Sequence, residues 1–391
     1  MRQSLNILML SHGYPPTVSG VTLVVRKFGR AMAQRGHTVT VITASERRKP
    51  YGDWDGRMRL IRVRSFPNPF WREGPIPFIG SSHLRQVIDE FGPDIIHTHE
   101  GAILGNQLLR LKKDVGVPLI SSCYYIPRYV THYLTWRVKL LNQLLWRYAV
   151  WHFNQFDHVI FSTSTQASYY YQNGLRVPTT IISNGLDTTR YTPSDGRVEE
   201  VEARYNLPSR PRILFVGRLM KDKKIDILIE AIPRICALRQ AHLLLVGRGD
   251  EQQQLEQLAV RMKVRDQVHL LGFVPEEDLP AIYRASDVFA IASVSEVQSI
   301  PTLQAAACGL PVVAADAAAL PELVRDGVNG FLVPPDSPEA ISKAILKLTE
   351  SPTCARSMGL ASLAVGRAHG EERSFEKYEQ FCRTMIEGRE T

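Results

Sequence analysis

The sequence predicts an α/β protein built of two doubly wound domains, each with a parallel sheet. Short apolar runs of strand length alternate with helical stretches, as in residues 5–10, 21–35 and 38–43. A second series of the same kind starts at residues 212–216, and a length of 391 residues suits two domains. The expected division is into three parts: an N-terminal Rossmann-like domain (1–190), a C-terminal Rossmann-like domain (191–370) and a final helix (371–391).

Composition and charge indicate a globular protein with anionic partners. Hydrophobic residues make up 44% and charged residues 22% of the chain, which are ordinary values for a globular enzyme. The formal net charge of +8 favours a nucleotide or a phospholipid surface as partner; a nucleic acid is not expected, because no motif for one is present. The five cysteines show neither zinc nor disulfide spacing, which favours a reducing cytoplasm. No apolar run is long enough to span a membrane, so any membrane contact is expected to be peripheral.

The loop after the first strand contains a candidate phosphate-binding glycine. Gly20 follows a run of turn-forming residues and leads the helix expected at 21–35. A residue without a Cβ atom allows a phosphate to approach the backbone closely. We therefore count Gly20 among the candidate ligand-binding residues.

Two patterns in the first domain could indicate a metal, and both are weak. Asp53-Trp54-Asp55 is an Asp-x-Asp pattern, but it lies in a polar stretch that we interpret as a solvated turn. His97 and His99 share one face of the strand expected at 95–99, yet no third ligand is evident nearby. We expect no bound metal.

Basic and aromatic residues are interleaved between residues 136 and 153. The large apolar residues recur at helical spacing, with Arg137, Lys139 and Arg147 between them. One interpretation is a helix that packs into the core. The other is an interfacial helix whose basic residues face anionic lipid, and the sequence leaves both open.

Two cations follow the first strand of the second domain. The apolar run 212–216 leads directly into Gly217 and Arg218, and Lys223 comes five residues after the arginine. Fixed cations at the end of a strand could stabilise negative charge on a ligand. The alternative is a basic surface turn.

Residues 288–313 predict one strand–loop–helix–strand unit with an anion site. In such a unit, the free backbone N–H groups at the start of the helix face the ligand. Here they would belong to residues near Ser299 and Ile300. The Glu296 carboxylate lies in the same loop and could accept hydrogen bonds from sugar hydroxyls. The alternative is a structural crossover with an incidental glutamate.

This last stretch resembles the retaining nucleotide-sugar glycosyltransferases of family 4. The family pattern is Glu, seven residues, Glu, and then a small-residue helix ending in Gly-x-Pro-Val-Val. Glu296 and Gln304 occupy the two Glu positions, and Gly309-Leu310-Pro311-Val312-Val313 matches the end. The resemblance implies that Glu296 holds the donor sugar and position 304 the ribose. Gln304 departs from the pattern because it is uncharged and donates as well as accepts hydrogen bonds.

The resemblance also covers the cations and the base-binding segment of the second domain. Arg218 and Lys223 match the two residues that reach the donor diphosphate in the family, which implies that they act in catalysis together with Glu296. Lys224 stands where the family usually has glycine. The segment that contains Val274 resembles the one whose backbone meets the base.

Acceptor-side candidates follow from the same resemblance in the first domain. The family often has a histidine at the strand end that His99 occupies, and it often has another at the position of Tyr124. Tyr124 is a poor base near neutral pH because its reference pKa is about 10. The resemblance implies that His99, Tyr124 and the neighbouring Tyr125 lie on the acceptor side.

The family resemblance implies a fold and a reaction. The fold is GT-B, with two Rossmann-like domains facing a central cleft and the final helix, 371–391, crossing back to the first domain. The reaction is the transfer of a hexose from a nucleoside diphosphate sugar, with UDP-glucose as the expected donor, retention at the anomeric carbon and no cofactor. The loop 129–134 resembles that of bacterial diacylglycerol glucosyltransferases. We therefore expect a lipid acceptor, diacylglycerol or a glycosyl-diacylglycerol, and a cytoplasmic protein that is peripheral on the inner face of an anionic membrane.

Other functions remain open at this point. The acceptor could instead be a soluble sugar or the end of a polysaccharide. A nucleotide-sugar epimerase shares this architecture and would need no acceptor. A catalytically silent nucleotide-sugar-binding protein is a further alternative, because Gln304 and Tyr124 both depart from the family pattern.

Overall fold

The computed structural model describes residues 4–17, 19–68, 74–99, 102–127, 138–194 and 196–390. The chain divides into two compact units: unit 1 is Met1–Asn184 together with Ser374–Thr391, and unit 2 is Gly185–Arg373. The sequence-based boundaries lie after residues 190 and 370, whereas the units divide after residues 184 and 373.

The strands and helices alternate along most of the described chain. In unit 1 the strands are β1 (Asn6–Ser11), β2 (Thr38–Ala44), β3 (Tyr51–Asp55), β4 (Met58–Phe66), β5 (Ile76–Phe78), β6 (Ile95–His99), β7 (Leu119–Cys123), β8 (His158–Phe161) and β9 (Thr179–Ile181). In unit 2 they are β10 (Arg212–Val216), β11 (His242–Val246), β12 (Val268–Gly272), β13 (Val288–Ile291), β14 (Val312–Ala315) and β15 (Gly330–Val333).

The described helices are likewise numbered along the chain. They are α1 (Gly20–Gln34), α2 (Ser81–Phe91), α3 (Ala102–Leu109), α4 (Val138–Phe153), α5 (Ser164–Gln172), α6 (Val198–Arg204), α7 (Ile225–Cys236), α8 (Gln252–Arg261), α9 (Leu279–Arg284), α10 (Ile300–Ala307), α11 (Pro338–Glu350), α12 (Pro352–Ala368) and α13 (Glu371–Glu390). None of these helices is both long and apolar enough to cross a lipid bilayer.

The sheet of unit 1 has the strand order β3-β4-β2-β1-β6-β7-β8-β9, and β5 pairs with β4. All neighbours are parallel except β3 and β5, which run antiparallel to β4. Ser11 pairs with His99, and His99 pairs with Ser122. The polar ends of β1, β6 and β7 therefore lie side by side at the carboxyl edge of the sheet.

The core of unit 1 has two layers because side chains alternate across each strand. Ile7 and Met9 of β1 belong to the layer that contains α1 and α13. Leu8 and Leu10 belong to the opposite layer, which contains α2 and α3. Both faces of the sheet are covered. Its strands are therefore continuous apolar runs in the sequence, without alternation of apolar and polar residues.

The Asp-x-Asp pattern is structural, and the interpretation as a solvated turn is wrong. Asp53 and Asp55 lie on β3, which pairs with β4. The Asp55 carboxylate accepts hydrogen bonds from Arg26 Nε at 2.9 Å and from Tyr14 Oη at 2.6 Å, and Arg30 Nε donates to it at 3.0 Å. These donors hold the carboxylate in an ion-pair network, and they lower the pKa of Asp55 to about 2 although burial opposes the shift.

The sheet of unit 2 is entirely parallel, in the order β12-β11-β10-β13-β14-β15. Strand order reverses between β10 and β13, because the chain moves outward from β10 in one direction through β11 and β12 and then returns to the other side. In open α/β sheets, ligands bind outside the carboxyl ends of the strands at such a reversal. A ligand-binding site is therefore expected at the carboxyl ends of β10 and β13.

Candidate active site

Lys223 and Glu296 are in direct contact at this edge of unit 2. Lys223 lies in the 3₁₀ turn Lys221–Lys223 after β10, and Glu296 lies in the loop after β13. The Lys223 Nζ atom donates to Glu296 Oε1 at 2.7 Å, and the two side chains are 15% and 10% exposed. Since β10 and β13 are neighbours in the sheet, the fold brings together two residues that are 73 positions apart.

Polar residues that sequence reasoning missed hold this turn and loop together. Ser295 Oγ donates to Asp222 Oδ2 at 2.9 Å, and Ser293 Oγ donates to the Asp222 carbonyl at 3.3 Å. The Ala319 N–H donates to the Glu296 carbonyl at 3.3 Å. The serine-rich composition of the loop was the one local signal for these contacts. They fix Glu296 relative to Lys223 before any ligand binds.

Arg218 differs from Lys223 in that its charge is not compensated. It follows Gly217 directly at the end of β10 and is exposed. Within the described chain, its guanidinium group has no hydrogen bond or ion pair. Glu296 and Asp222 carboxylate oxygens lie 2.7 and 3.6 Å from Lys223 Nζ and offset its charge, so of these two cations Arg218 is the more available to an anion.

The start of α10 has the arrangement expected of an anion site. Ser299 is the N-cap residue and is buried, and its side chain makes no capping hydrogen bond to the described helix. Instead, its Oγ accepts a hydrogen bond from Thr302 Oγ1 at 2.8 Å. Ile300 opens the helix and is partly buried. Because no side chain caps this end, the backbone N–H groups of the first turn are left for a ligand.

Gln304 is on the same helix but already has a protein partner. Its side chain is buried, and its Oε1 accepts a hydrogen bond from Tyr283 Oη at 2.8 Å. Burial raises the pKa of Tyr283 well above its usual value, so the phenol remains a donor. An acceptor oxygen at position 304 is therefore needed by the fold itself, and a glutamate there would supply one equally well.

Val274 follows β12 at the same edge of the sheet. Its side chain belongs to the hydrophobic core of unit 2, whereas the preceding Phe273 is exposed. This packing is compatible with a ligand contact through the backbone of Val274, the kind of contact that the family resemblance implies.

The acceptor-side candidates lie in unit 1, where His99 and Tyr124 are joined directly. A hydrogen bond of 2.8 Å links His99 Nδ1 to Tyr124 Oη. The neighbouring His97 is hydrogen-bonded to Tyr378 Oη and to Ser122 Oγ, both at 2.8 Å. The two imidazole rings are 3.9 Å apart between centroids.

A small cavity of unit 1 borders these residues. Its polar lining comes from strand ends and from α13: His97, His99, Ser122, Tyr124, Ser162, Asn184 and Tyr378. The Nε2 atom of His99 is buried and has no hydrogen-bond partner among the described residues. Burial lowers the pKa of His99 to about 3, so the ring is neutral near pH 7. A neutral imidazole can exchange a hydrogen bond with an incoming hydroxyl group.

Tyr125 and Gly20 are placed less favourably for ligand binding. The Tyr125 carbonyl accepts a hydrogen bond from Gln166 Nε2 at 3.1 Å, and its ring packs 6.3 Å from that of Phe153. Gly20 is the first residue of α1 and is exposed, and a Cβ atom there would meet nothing within 4 Å. The packing of unit 1 therefore does not require a glycine at this position.

Neither unit contains a recognisable metal site in its described residues. No group of three or more His, Cys, Asp or Glu side chains is arranged to hold an ion there. Hydrogen bonds within unit 1 account for both ring nitrogens of His97 and for Nδ1 of His99.

Comparison with known proteins gives the family. Residues 18–190 match the model described as Glycosyltransferase Family 4, and residues 210–351 match the model described as Glycosyl transferases group 1. The GDP-mannose-dependent alpha-(1-6)-phosphatidylinositol monomannoside mannosyltransferase of Mycolicibacterium smegmatis is 32% identical over 365 residues, which cover 91% of this chain and 92% of that protein. The chain belongs to glycosyltransferase family 4. The alpha-monoglucosyldiacylglycerol synthase of Streptococcus pneumoniae is 24% identical over 335 residues, covering 84% of this chain and 75% of that protein.

Solved structures agree on the fold of this family 4 member, which is GT-B. Sucrose-phosphate synthase from Thermosynechococcus elongatus superposes with a TM-score of 0.80 at 21% identity, covering 98% of this chain and 100% of that chain. HepE of Anabaena in complex with UDP-glucose superposes with a TM-score of 0.77 at 21% identity, covering 97% and 100%.

The structure also explains one departure from the family pattern. Lys224, at the usual glycine position, has φ 52° and ψ 42°, a left-handed conformation that favours glycine. Its Nζ atom lies 2.8 Å from Asp336 Oδ1. The left-handed backbone accounts for the glycine that the family usually has here, whereas the lysine of this chain forms a partly exposed ion pair.

Proposed function

We propose that this protein is a retaining glycosyltransferase that transfers glucose from UDP-glucose to a membrane lipid, diacylglycerol or a glycosyl-diacylglycerol. The observation that carries the proposal is the site at β10 and β13, where Arg218, Lys223 and Glu296 lie at the reversal of strand order. Cations and a fixed carboxylate at this position suit a ligand with a diphosphate and a sugar.

Each of these residues has a defined task in the proposed reaction. The bond between the anomeric carbon and the diphosphate oxygen breaks, and the leaving UDP takes the electron pair. Arg218 and Lys223 stabilise the negative charge that develops on it. Glu296 accepts hydrogen bonds from hydroxyls of the donor sugar. The acceptor hydroxyl attacks from the side that UDP leaves and passes its proton to the leaving phosphate, so the anomeric configuration is retained.

The names of two relatives favour a lipid acceptor and differ in the sugar. One is named for monoglucosyldiacylglycerol, and the other for phosphatidylinositol monomannoside and GDP-mannose. We choose glucose and UDP because of the first relative and because HepE was solved with UDP-glucose. For the acceptor hydroxyl, His99 offers an unpartnered Nε2 atom beside Tyr124.

The exposed side of α4 supports contact with a membrane. Trp146, Ala149, Val150 and Phe153 are buried and attach the helix to unit 1. A second apolar stripe is nevertheless exposed: Leu140 66%, Leu141 38%, Leu144 52%, Tyr148 38% and Trp151 54%. At about 100° per residue these side chains fall within one arc of about 100°, with the exposed Arg147 at its border. Leucine and aromatic side chains beside a basic residue suit the boundary of an anionic bilayer.

Part of the sequence argument for a lipid acceptor concerns residues that the structure does not describe. The loop 129–134, Trp136 and Arg137 fall outside the described residues, and so does the side chain of Lys139. The structural support for a membrane contact therefore rests on residues 140–151.

A transfer assay tests the reaction. The protein is incubated with radiolabelled UDP-glucose, with and without diacylglycerol-containing vesicles, and both UDP and label are followed. We expect UDP release together with label in the lipid fraction. Label that enters only an added soluble sugar would favour the soluble-acceptor alternative. A new free sugar nucleotide would indicate an epimerase, and no turnover with any acceptor would indicate a binding protein.

A flotation assay tests the membrane contact. The parent protein should float with anionic vesicles, and less so at high salt, because each cation near the surface adds about 1 kcal/mol. Leu144→Gln with Trp151→Gln should abolish flotation. Leu360→Gln is the matched control, since Leu360 is 64% exposed but lies on α12 of unit 2. A double variant that floats as well as the parent would contradict the role of α4.

A further inference from the structure

The loop after β11 contributes a further arginine to the carboxyl edge of unit 2. Arg248 follows β11 as Arg218 follows β10, and both arginines come directly after a glycine. Arg248 is exposed, and across the described chain its guanidinium group has no hydrogen bond or ion pair. Asp250, two residues later, is the nearest acidic residue in sequence.

Backbone contacts hold these strand-end loops side by side. The Leu219 N–H donates to the Arg248 carbonyl at 2.9 Å, and the Gly247 N–H donates to the Gly272 carbonyl at 2.8 Å. A Cβ atom at Gly247 would lie 1.9 Å from the Gly217 carbonyl oxygen, and one at Gly249 would lie 2.2 Å from that of Leu219. Glycines are therefore required on both sides of Arg248. The loops that carry Arg218 and Arg248 are locked against each other.

The order of strands along the edge assigns a position to Arg248. Val274 follows β12, Arg248 follows β11, Arg218 and Lys223 follow β10, and Glu296 follows β13. Neighbouring strands are about 4.8 Å apart. The edge thus presents, in order, the segment expected to meet the base, Arg248, the two diphosphate cations and the carboxylate for the sugar. A nucleoside diphosphate sugar has its base, α-phosphate, β-phosphate and sugar in the same sequence.

We propose that Arg248 binds the α-phosphate of the donor nucleotide, next to the base, while Arg218 and Lys223 bind the β-phosphate. This inference rests on the proposed function. Two unpaired arginines on adjacent loops match the two phosphates of the donor, and a guanidinium group can donate two parallel hydrogen bonds to one phosphate.

Nucleotide titrations test the assignment. Calorimetric affinities for UDP, UMP and uridine are measured for the parent protein, Arg248→Gln and Arg218→Gln. We expect Arg248→Gln to weaken UDP and UMP by a similar factor of about tenfold, with uridine unchanged. Arg218→Gln should weaken UDP more than UMP. Arg239→Gln is the matched control, because Arg239 is an exposed arginine that precedes the amino end of β11, on the opposite edge of the sheet.

The outcomes separate this inference from the proposed function. Unchanged affinity of Arg248→Gln for both nucleotides would overturn the assignment, and so would a loss confined to UDP or a loss that extends to uridine. The parent protein is also titrated with GDP and GMP. If it prefers guanine nucleotides, the variants are compared with GDP, GMP and guanosine instead of UDP, UMP and uridine. A parent protein that binds neither UDP nor GDP would overturn the proposed function itself, and this inference with it.

Discussion

The Nζ atom of Lys223 lies 2.7 Å from Oε1 of Glu296, so the candidate cation for the diphosphate and the candidate carboxylate for the sugar form an ion pair. Each charge compensates the other, and both side chains are largely buried. In the proposed reaction, the donor diphosphate competes with Glu296 for Lys223. We therefore expect nucleotide binding and sugar binding to be coupled through this pair.

Glu296→Gln should separate the binding of UDP from the transfer of the sugar. The variant removes the nearer of the two carboxylates that offset Lys223 and leaves Asp222 at 3.6 Å, so UDP without a sugar should bind at least as tightly as to the parent protein. Transfer from UDP-glucose should fall by about 10²-fold or more, because contacts that are made in the transition state are lost. Calorimetry with UDP and a turnover assay provide the two readings. Full turnover in a folded Glu296→Gln protein would contradict the role of Glu296.

Arg218→Ala and Lys223→Ala should each lower turnover by about 10²- to 10³-fold, which is typical of losing one group that stabilises developing charge. Lys221→Ala is the control, since Lys221 belongs to the same 3₁₀ turn as Lys223 but is exposed. Single-turnover rates would show whether the loss is in the chemical step. If both variants keep the parent rate with the fold intact, the assignment of these cations is wrong.

Gln304→Glu should keep or raise the affinity for the donor. A carboxylate is nearly the same size as the amide and can still accept the hydrogen bond from Tyr283 Oη, which is 2.8 Å long in the parent. Gln304→Leu is the contrasting variant, because it leaves a buried phenol without a partner, at about 1–3 kcal/mol of unfolding free energy. Donor affinity and urea unfolding would be measured for both. If a stable Gln304→Glu protein no longer binds the donor, position 304 has a role other than the one expected here.

Transfer should not depend on a divalent metal, because Arg218 and Lys223 supply positive charge where the diphosphate leaves. Extensive treatment with EDTA should leave the rate unchanged. A rate that falls on chelation and is restored by magnesium or manganese would show that the cations alone are insufficient.

The stability of unit 1 should fall as the pH is lowered from about 6.5 to 4. Burial lowers the pKa of His99 to about 3 and those of His12 and His152 to about 4. In the unfolded chain, histidines titrate near 6.5, so below that pH the unfolded state binds protons that the folded state does not. Each group then removes up to about 1.4 kcal/mol of unfolding free energy per pH unit.

Urea unfolding at pH 7.5, 6.5 and 5.5 measures this dependence. His152→Gln should reduce the slope by about one proton, because the variant has one fewer buried imidazole to protonate on unfolding. An unfolding free energy that does not change between pH 7.5 and 5.5 would show that folding does not lower the pKa values of these histidines.

The sequence by itself determined the features that depend on neighbours along the chain. Two series of apolar strands and helices predicted parallel sheets, and the spacing of Arg218 and Lys223 after a strand predicted their place at its carboxyl end. The pattern around Glu296 indicated the family, and comparison with known proteins confirmed it. Such features are readable because a strand, its following loop and the start of the next helix are consecutive in sequence.

The tertiary structure alone decided which of these residues meet. The pairing of Lys223 with Glu296, of Tyr283 with Gln304 and of His99 with Tyr124 depends on how strands and helices pack, which local periodicity does not encode. Likewise, residues 136–153 could have been core or interface in sequence, and the structure shows α4 with one apolar side buried and another exposed. The physical reason is that burial is a property of the space around a side chain, and that space is filled by residues distant in sequence.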